Sequence, residues 1–235
     1  MGIGRRVPIA GMEGPPIPDP RSPIPGPREW GLYLVTDRTQ TGGRDLLGVV
    51  DRALAGGVRG VQLREKDLAT LDLYRLAEKL LARTRAAGAA LLINDRVDVA
   101  LALDADGVHL TRRSLPPAEA RTLLGPSKLV GISCHSLPDL LEAVAGGVDF
   151  VVLGPIFETP SKRPYGPPLG SGALREARAL TTLPLVAIGG ITPAQVPEVA
   201  AAGADGVAVV SAVMAAPDPA AAAADLLAAV RTVHR

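Results

Sequence analysis

One phrase recurs four times in this chain of 235 residues, and it limits the possible folds more than any other feature. Each copy joins a glycine or an acidic residue to a short apolar run that ends in a polar residue. The copies are AGGVRGVQLRE (55–65), LDADGVHLT (103–111), GGVDFVVLGP (146–155) and AAGADGVAVVS (201–211). A glycine that closes a helix, followed by a continuous apolar strand, is typical of the α-to-β step of a parallel sheet.

From Trp30 to the end of the chain, short apolar runs alternate with segments of helical pattern. This alternation predicts strands at Leu32–Thr36, Gly60–Leu63, Ala90–Ile93, Gly107–Leu110, Leu129–Ser133, Phe150–Leu153, Leu185–Ile188 and Gly206–Val210. It predicts helices near 44–56, 69–87, 96–103, 116–124, 138–146, 171–181, 193–202 and 218–233. Eight strands that alternate with eight helices indicate an α/β protein, a single (β/α)8 TIM barrel. No nucleotide-binding fingerprint follows the first strand, which disfavours an open doubly wound sheet.

Residues 1–28 have a different composition, with eight prolines and five glycines. Proline at this density blocks both helices and central strands. We therefore expect a disordered Pro/Gly-rich arm over 1–28 and a barrel domain over 29–235. No apolar segment follows the basic residues of the arm, so it does not read as a secretory signal.

Composition narrows the functional classes. The net charge of +1 favours neither nucleic acid nor a membrane surface as partner. The single cysteine, Cys134, excludes an intrachain disulfide and a thiolate metal cage. No apolar run approaches the ~20 residues of a membrane-spanning helix. We expect a cytoplasmic protein that acts on small molecules, and a homo-oligomer is compatible with such a barrel.

Polar residues follow several predicted strands, at the end of the barrel where catalysis takes place in this fold. In QLREK, Gln62 and Arg64 would share one side of a strand, and Arg64 and Lys66 would reach its loop around Glu65. Two cations at this position suit a polyphosphate. A solvated loop with a Glu65–Lys66 pair is the alternative.

The next strand ends in Asn94 and Asp95. Asp95 could cap the helix that begins at Arg96. It could equally bind Mg²⁺, which prefers one or two carboxylates together with phosphate oxygens of the substrate. The segment alone leaves both interpretations open.

Two further regions are suited to phosphate. The loop after the sixth strand carries Thr159, Ser161 and Lys162, which can all donate hydrogen bonds, and it is long enough to close as a lid. Gly189-Gly190 and Val210-Ser211 end the last two strands, whose loops commonly bind phosphate through backbone N–H groups in barrels.

The fifth strand ends in Ser133, Cys134 and His135. His135 is a candidate general acid or base, or a residue that orients the loop. His109 lies within the fourth strand and is expected to fill the barrel. Cys134 is expected to be structural.

Taken in order, these motifs resemble the thiamine phosphate synthase family and its relative, thiazole tautomerase. The resemblance spans about residues 32–214, and its strongest parts are QLREK, INDRVDVALALDADGVHL, TPSK and AIGGITP followed by AGADGVAVVS. A synthase joins hydroxymethylpyrimidine diphosphate to a thiazole phosphate with release of pyrophosphate. The family mechanism passes through a pyrimidine-methyl cation that the thiazole nitrogen attacks.

The resemblance also implies roles for individual residues, with Mg²⁺ as cofactor. The pyrimidine diphosphate would be held by Gln62, Arg64, Glu65, Lys66, Asn94, Ser133 and Lys162. The thiazole phosphate would be held by Thr159, Ser161, Gly190, Val210 and Ser211. Catalytic roles would fall to Arg64, Lys66, Ser133, His135 and Lys162, and the metal would bind Asp95.

One position departs from the family pattern. A second metal carboxylate is expected nineteen residues after Asp95, where this chain has Ser114. Arg112 or Arg113 could compensate by meeting the diphosphate directly. Alternatively, the protein is a tautomerase that moves protons on a thiazole carboxylate phosphate through His135 without metal, or a barrel that binds thiazole phosphate without catalysis.

Overall fold

A computed structural model describes residues 25–159 and 167–233. Within these ranges, eight parallel strands form a closed barrel in which each strand pairs with the next and the eighth pairs with the first. The predicted fold is therefore confirmed. The strands are β1 Leu32–Val35, β2 Gly60–Leu63, β3 Ala90–Asn94, β4 Gly107–Leu110, β5 Leu129–Cys134, β6 Phe150–Leu153, β7 Leu185–Ile188 and β8 Gly206–Val209.

Helices surround the barrel, and the predicted bounds agree with the observed ones to within about three residues. The helices of the described residues are α1 Pro27–Trp30, α2 Leu46–Ala55, α3 Thr70–Ala86, α4 Val97–Ala102, α5 Pro117–Leu124, α6 Leu137–Ala145, α7 Gly170–Leu180, α8 Val196–Ala201, α9 Ser211–Met214 and α10 Pro219–Val233. Helices α1 and α9 are not among the helices predicted from the sequence. None of these helices has the length and apolar character needed to span a membrane.

Side chains alternate between the barrel interior and the helical layer, as the two-residue period of a strand requires. Outward residues join the helices in one large core. The inward cluster is smaller and contains the aromatic residues Trp30, Tyr33 and Phe150. Trp30 stacks on Tyr33 and meets Phe150 edge-on, at ring-centroid distances of 5.1 and 5.3 Å.

Helix α1 brings Trp30 to the end of the barrel opposite the strands' carboxyl ends. A methyl group at Gly60 would lie 2.5 Å from the Trp30 ring, so β2 needs glycine there. The indole N–H donates to the Pro25 carbonyl at 2.7 Å, and Arg28 pairs with Asp205 at 2.9 Å. The predicted boundary after residue 28 thus falls inside α1, and residues 25–28 pack on the barrel. The rest of the predicted arm, 1–24, lies outside the described residues.

Candidate active site

The carboxyl ends of β1–β8 form one edge of the barrel, here called the catalytic end. Gln62 on β2 and Asn94 on β3 reach this end from the interior and are 3% and 9% exposed. Gln62 Nε2 and Asn94 Oδ1 are buried and have no hydrogen-bond partner among the residues of 25–159 and 167–233. An unpaired buried polar atom costs about 1–3 kcal/mol, so one free donor and one free acceptor at the barrel mouth indicate a ligand site.

Arg64 follows β2 and is half-buried. Its positive charge adds to burial in lowering the pKa of His109. Within the described part of the chain, the Arg64 guanidinium has no carboxylate at ion-pair distance. Lys66, two residues further on, is exposed. The predicted pair of cations is therefore present at the mouth.

Glu65, between these two cations, has a different environment from them. Its carboxylate is buried and accepts hydrogen bonds from the Thr36 hydroxyl at 2.7 Å and from Arg38 at 3.1–3.2 Å. The Thr36 hydroxyl in turn accepts the Arg64 backbone N–H at 3.0 Å. Glu65 thus connects the loops that follow β1 and β2 and fixes the backbone that carries Arg64. The alternative considered from the sequence, a solvated loop with a Glu65–Lys66 pair, does not fit, because the Glu65 carboxylate is buried.

Arg38 extends the same network. Its guanidinium contacts Asp67 through two hydrogen bonds of 2.5 and 2.6 Å, and these contacts are the main reason that its pKa is raised. Sequence reasoning missed Thr36 and Arg38. The signal for Thr36 was its place directly after β1, in line with the polar residues that follow the other strands.

The Asp95 backbone adopts a left-handed conformation with φ of 65°. A hydrogen bond from its N–H to the His109 carbonyl at 2.9 Å holds this conformation. Helix α4 begins at Val97 with Arg96 at the N-cap and no side-chain cap, so the proposed capping role of Asp95 is wrong. The Asp95 carboxylate is exposed, and no hydrogen bond or ion pair within the described ranges engages it.

Ser114 closes a turn of its own loop. Its Oγ accepts the Thr111 N–H at 2.8 Å, and its N–H donates to the Thr111 carbonyl at 3.0 Å. Arg112, two residues earlier, pairs with the buried Asp139 at 3.2 Å. No cluster of three or more His, Cys, Asp or Glu side chains suited to a metal occurs in the described ranges.

Ser133 on β5 is half-buried, and its Oγ lies 2.8 Å from His109 Nε2. His109 fills the barrel as predicted, and burial lowers its pKa to about 3, so the ring is neutral. Its Nδ1 lies 3.4 Å from the Tyr33 hydroxyl. Burial raises the pKa of the Tyr33 hydroxyl well above its usual range. Cys134, next on the strand, is 1% exposed, which agrees with a structural role.

His135 is exposed at the catalytic end and is held at two points. Its backbone N–H donates to Asp139 Oδ2 at 2.9 Å, and Nδ1–H donates to the Gly154 carbonyl. The imidazole therefore tethers the start of the loop after β6 to β5. Nε2 has no hydrogen-bond partner among the described residues, so it is available to a ligand.

The ends of β6, β7 and β8 form the side of the barrel mouth where the sequence predicts phosphate binding. Gly189 and Gly190 have positive φ angles of 102° and 65°, and the loop after β6 packs directly against them. Phe157 N–H donates to the Gly189 carbonyl at 3.0 Å. Val210 precedes Ser211, the first residue of the short helix α9. Loops after strands seven and eight with a short extra helix are the recurrent phosphate site of this fold.

Thr159 is half-buried at the end of the described part of the β6 loop. Ser161 and Lys162, both predicted to contact substrate, lie outside the described residues, and their roles remain predictions.

Comparison with known proteins gives consistent results. Residues 32–213 match the family described as thiamine monophosphate synthase. A Geobacter sulfurreducens relative is 54% identical over 191 residues, covering 81% of this chain and 90% of the relative. The thiamine-phosphate synthase of Chloroflexus aurantiacus is 48% identical, covering 86% and 93%. The structure of thiamine phosphate pyrophosphorylase from Pyrococcus furiosus superposes with a TM-score of 0.80 at 36% identity, covering 88% and 98%.

Proposed function

Because the chain belongs to the thiamine monophosphate synthase family, we propose that its catalytic end joins hydroxymethylpyrimidine diphosphate to thiazole phosphate, releasing pyrophosphate. The observation that carries the assignment of the site is the pair of buried atoms, Gln62 Nε2 and Asn94 Oδ1, that no group of the described residues satisfies. Arg64, which follows β2 at the same end of the barrel, forms no ion pair within those residues. A donor, an acceptor and a cation at one barrel mouth match a polar heterocycle that carries a diphosphate.

The diphosphate is the leaving group, so its negative charge must be stabilised as the carbon–oxygen bond breaks. Arg64, Lys66 and Lys162 would supply positive charge, and Gln62, Asn94 and Ser133 would orient the pyrimidine. Glu65 would support this charge stabilisation without contacting the substrate, because it fixes the backbone of Arg64 through Thr36.

Mg²⁺ fits the donor set of the described residues with a single carboxylate. Asp95 would hold the ion, with phosphate oxygens and water completing its shell, as Mg²⁺ sites on phosphate substrates commonly do. When bound, the ion neutralises charge on the diphosphate. The Ser114 hydroxyl is engaged with Thr111 and adds no charge. The positive charge of Arg64 and Lys66 would therefore stabilise a larger share of the leaving group.

Thiazole phosphate would bind on the side of the barrel mouth opposite the pyrimidine diphosphate. Its contacts would be Gly190, Val210, Ser211, Thr159 and Ser161. The backbone N–H groups after β7 can face a phosphate without a side chain between, since Gly189 and Gly190 have none, and α9 after β8 would add backbone N–H groups at its start. Both rings would then lie close together over the barrel, and proximity supplies much of the rate in such a condensation.

The relatives that match most of the chain carry the synthase name, which favours this reading over the tautomerase and over a non-catalytic barrel. The Nδ1 contact of His135 with the Gly154 carbonyl supports a role in loop positioning.

The test is production of thiamine phosphate by the purified protein from both substrates, with and without Mg²⁺. We expect Mg²⁺-dependent product, and a loss of about 10- to 100-fold in kcat/KM for Arg64→Ala, the usual cost of removing a charged contact. Arg75→Ala, which removes an exposed arginine of α3, is the matched control and should retain full activity. No product from the wild-type protein, with thiazole phosphate still bound, would overturn the proposal.

A further inference from the structure

A chain of three side chains crosses the barrel interior and ends at the catalytic end. Tyr33 on β1, His109 on β4 and Ser133 on β5 are linked through the two imidazole nitrogens, at 3.4 Å on the Tyr33 side and 2.8 Å on the Ser133 side. Tyr33 is 1% and His109 2% exposed, whereas Ser133 is half-buried at the mouth.

The direction of these hydrogen bonds follows from what each group can donate. Among the described residues, the Tyr33 hydroxyl has no other polar partner than His109 Nδ1. If Nδ1 carried the proton, Tyr33 would accept from it, and the buried phenolic O–H would be left without an acceptor, which is unfavourable. If instead Nε2 carries the proton, Tyr33 donates to Nδ1, and every group in the chain is satisfied.

In this second arrangement, His109 Nε2–H donates to Ser133 Oγ. The Ser133 O–H then has no acceptor to meet among residues 25–159 and 167–233 and can donate to a ligand. The opposite tautomer would take the Ser133 proton and present only lone pairs to the ligand. The tautomer of a residue below the mouth thus decides whether Ser133 acts as a donor or as an acceptor.

We infer that Tyr33 and His109 are positioning residues that fix Ser133 as a hydrogen-bond donor, so that Ser133 pairs with an acceptor atom of the bound pyrimidine diphosphate. The inference rests on the proposed function for the identity of that ligand. A ring nitrogen or a phosphate oxygen can accept this bond, whereas an amino group cannot.

Burial supports the arrangement, because it keeps His109 neutral across the physiological pH range. A neutral ring has one donor and one acceptor, and only such a ring can pass the direction of a hydrogen bond from Tyr33 to Ser133. An apolar residue would fill the same space, so filling alone does not explain a histidine linked at both nitrogens.

The first test is the tautomer of His109 in the wild-type protein, read from ¹⁵N chemical shifts and long-range ¹H–¹⁵N couplings of histidine-labelled protein. The chain has three histidines, so the signal of His109 is the one that His135→Asn and His234→Asn leave in place. We expect the proton on Nε2, and a growing Nδ1–H population in Tyr33→Phe. A wild-type protein with the proton on Nδ1 would overturn the inference, whatever the enzyme's activity.

The second test is a double-mutant cycle on turnover. Tyr33→Phe keeps the ring that stacks on Trp30 but loses the hydroxyl, and we expect kcat to fall about fivefold, or about 1 kcal/mol. Because Tyr33 acts through Ser133, the same change should have little effect in a Ser133→Ala background. An equal loss in both backgrounds would mean that Tyr33 only supports packing, and would contradict the inference.

Trp30→Phe serves as the control for packing. It perturbs the ring that stacks on Tyr33 without touching the Tyr33–His109–Ser133 hydrogen bonds, so the His109 tautomer and kcat should stay as in the wild type. If the wild type makes no thiamine phosphate, the proposed function fails, and the tautomer measurement still decides the direction of the chain.

Discussion

The carboxylate of Asp149 accepts a hydrogen bond from the backbone N–H of Val130 at 2.6 Å, so the residue before β6 holds the start of β5. The same contact recurs between Asp106 and Leu91 and between Asp205 and Leu185, each at 2.7 Å. In each case an acidic residue before an even-numbered strand accepts a backbone N–H at the start of the preceding strand. These contacts explain the acidic residue in three of the four copies of the repeated phrase.

The first prediction concerns the ion pair at one of these positions. Asp149 also pairs with Arg121 at 2.5 Å, and both side chains are partly buried. Asp149→Asn keeps an oxygen for the Val130 N–H but loses the charge, so we expect the free energy of unfolding to fall by about 1–2 kcal/mol. Urea unfolding measures this change. Asp51→Asn, which removes a more exposed pair with Arg83, should cost less than about 0.5 kcal/mol. Equal losses in the two variants would contradict the argument.

The second prediction is a pH dependence at Asp106. Burial is the main reason that its pKa is raised, and no arginine or lysine of the described ranges forms an ion pair with it. The folded state therefore binds the Asp106 proton more tightly than the unfolded state does. This group's contribution to stability is fully present below its unfolded pKa of about 4 and is lost as pH rises through the raised folded pKa.

The variant Asp106→Asn tests that sign. The amide oxygen still accepts the Leu91 N–H, and no charge has to be buried, so the variant should be at least as stable as the wild type at pH 7. Its advantage should shrink as pH falls toward about 4, where the wild-type carboxyl takes up its proton. Unfolding curves from pH 4 to 8 give the difference. An advantage that grew toward acid pH would refute the assignment.

Most of the fold could be read from the sequence because buried strands of a parallel barrel form short, uninterrupted apolar runs. Phe150–Leu153 and Leu185–Ile188 have the bounds that their apolar residues predict. The helices α1 and α9 were missed because four residues are too few to show a helical period. Trp30 belongs to one of them, and its contacts with Phe150 and Gly60 depend on the closed barrel rather than on neighbours in sequence.

The candidate site was only partly readable, for a related reason. Polar residues at the end of a strand mark the catalytic end, and this pattern predicted Gln62, Arg64 and Asn94 there. Sequence spacing does not show what a side chain contacts across the barrel. From the sequence, Glu65 was grouped with Arg64 and Lys66 as a substrate contact, whereas its carboxylate accepts a hydrogen bond from Thr36. His109 was predicted only to fill the barrel, yet it also contacts Ser133.

The third prediction concerns the proposed phosphate side. Gly190 has a φ of 65°, and a methyl group there would lie 2.5 Å from the Glu158 carbonyl oxygen. Gly190→Ala would push the loop after β6 away from β7, and we expect KM for thiazole phosphate to rise about tenfold or more, since small misplacements are costly in such sites. Steady-state kinetics in both substrates measure it. Gly172→Ala, in α7, would place its methyl group 3.9 Å from the Arg175 guanidinium, an ordinary contact, so it should leave KM unchanged and is the matched control.

The last prediction concerns the metal. The Ser114 hydroxyl accepts the Thr111 N–H at 2.8 Å, a bond that a carboxylate or amide oxygen can also accept, so Ser114→Asp and Ser114→Asn should both fold. If the loop after β4 faces the ion that Asp95 would hold, the added carboxylate should lower the Mg²⁺ concentration for half-maximal activity by roughly fivefold, because affinity rises with the charge of the ligands. The asparagine variant has the same shape without the charge and should behave like the wild type. Calorimetric titration of Mg²⁺ in the presence of pyrophosphate gives a second readout that does not depend on turnover. Identical Mg²⁺ affinity in the two variants would mean that position 114 lies outside the metal's reach and that Asp95 alone supplies the protein's charge to the ion.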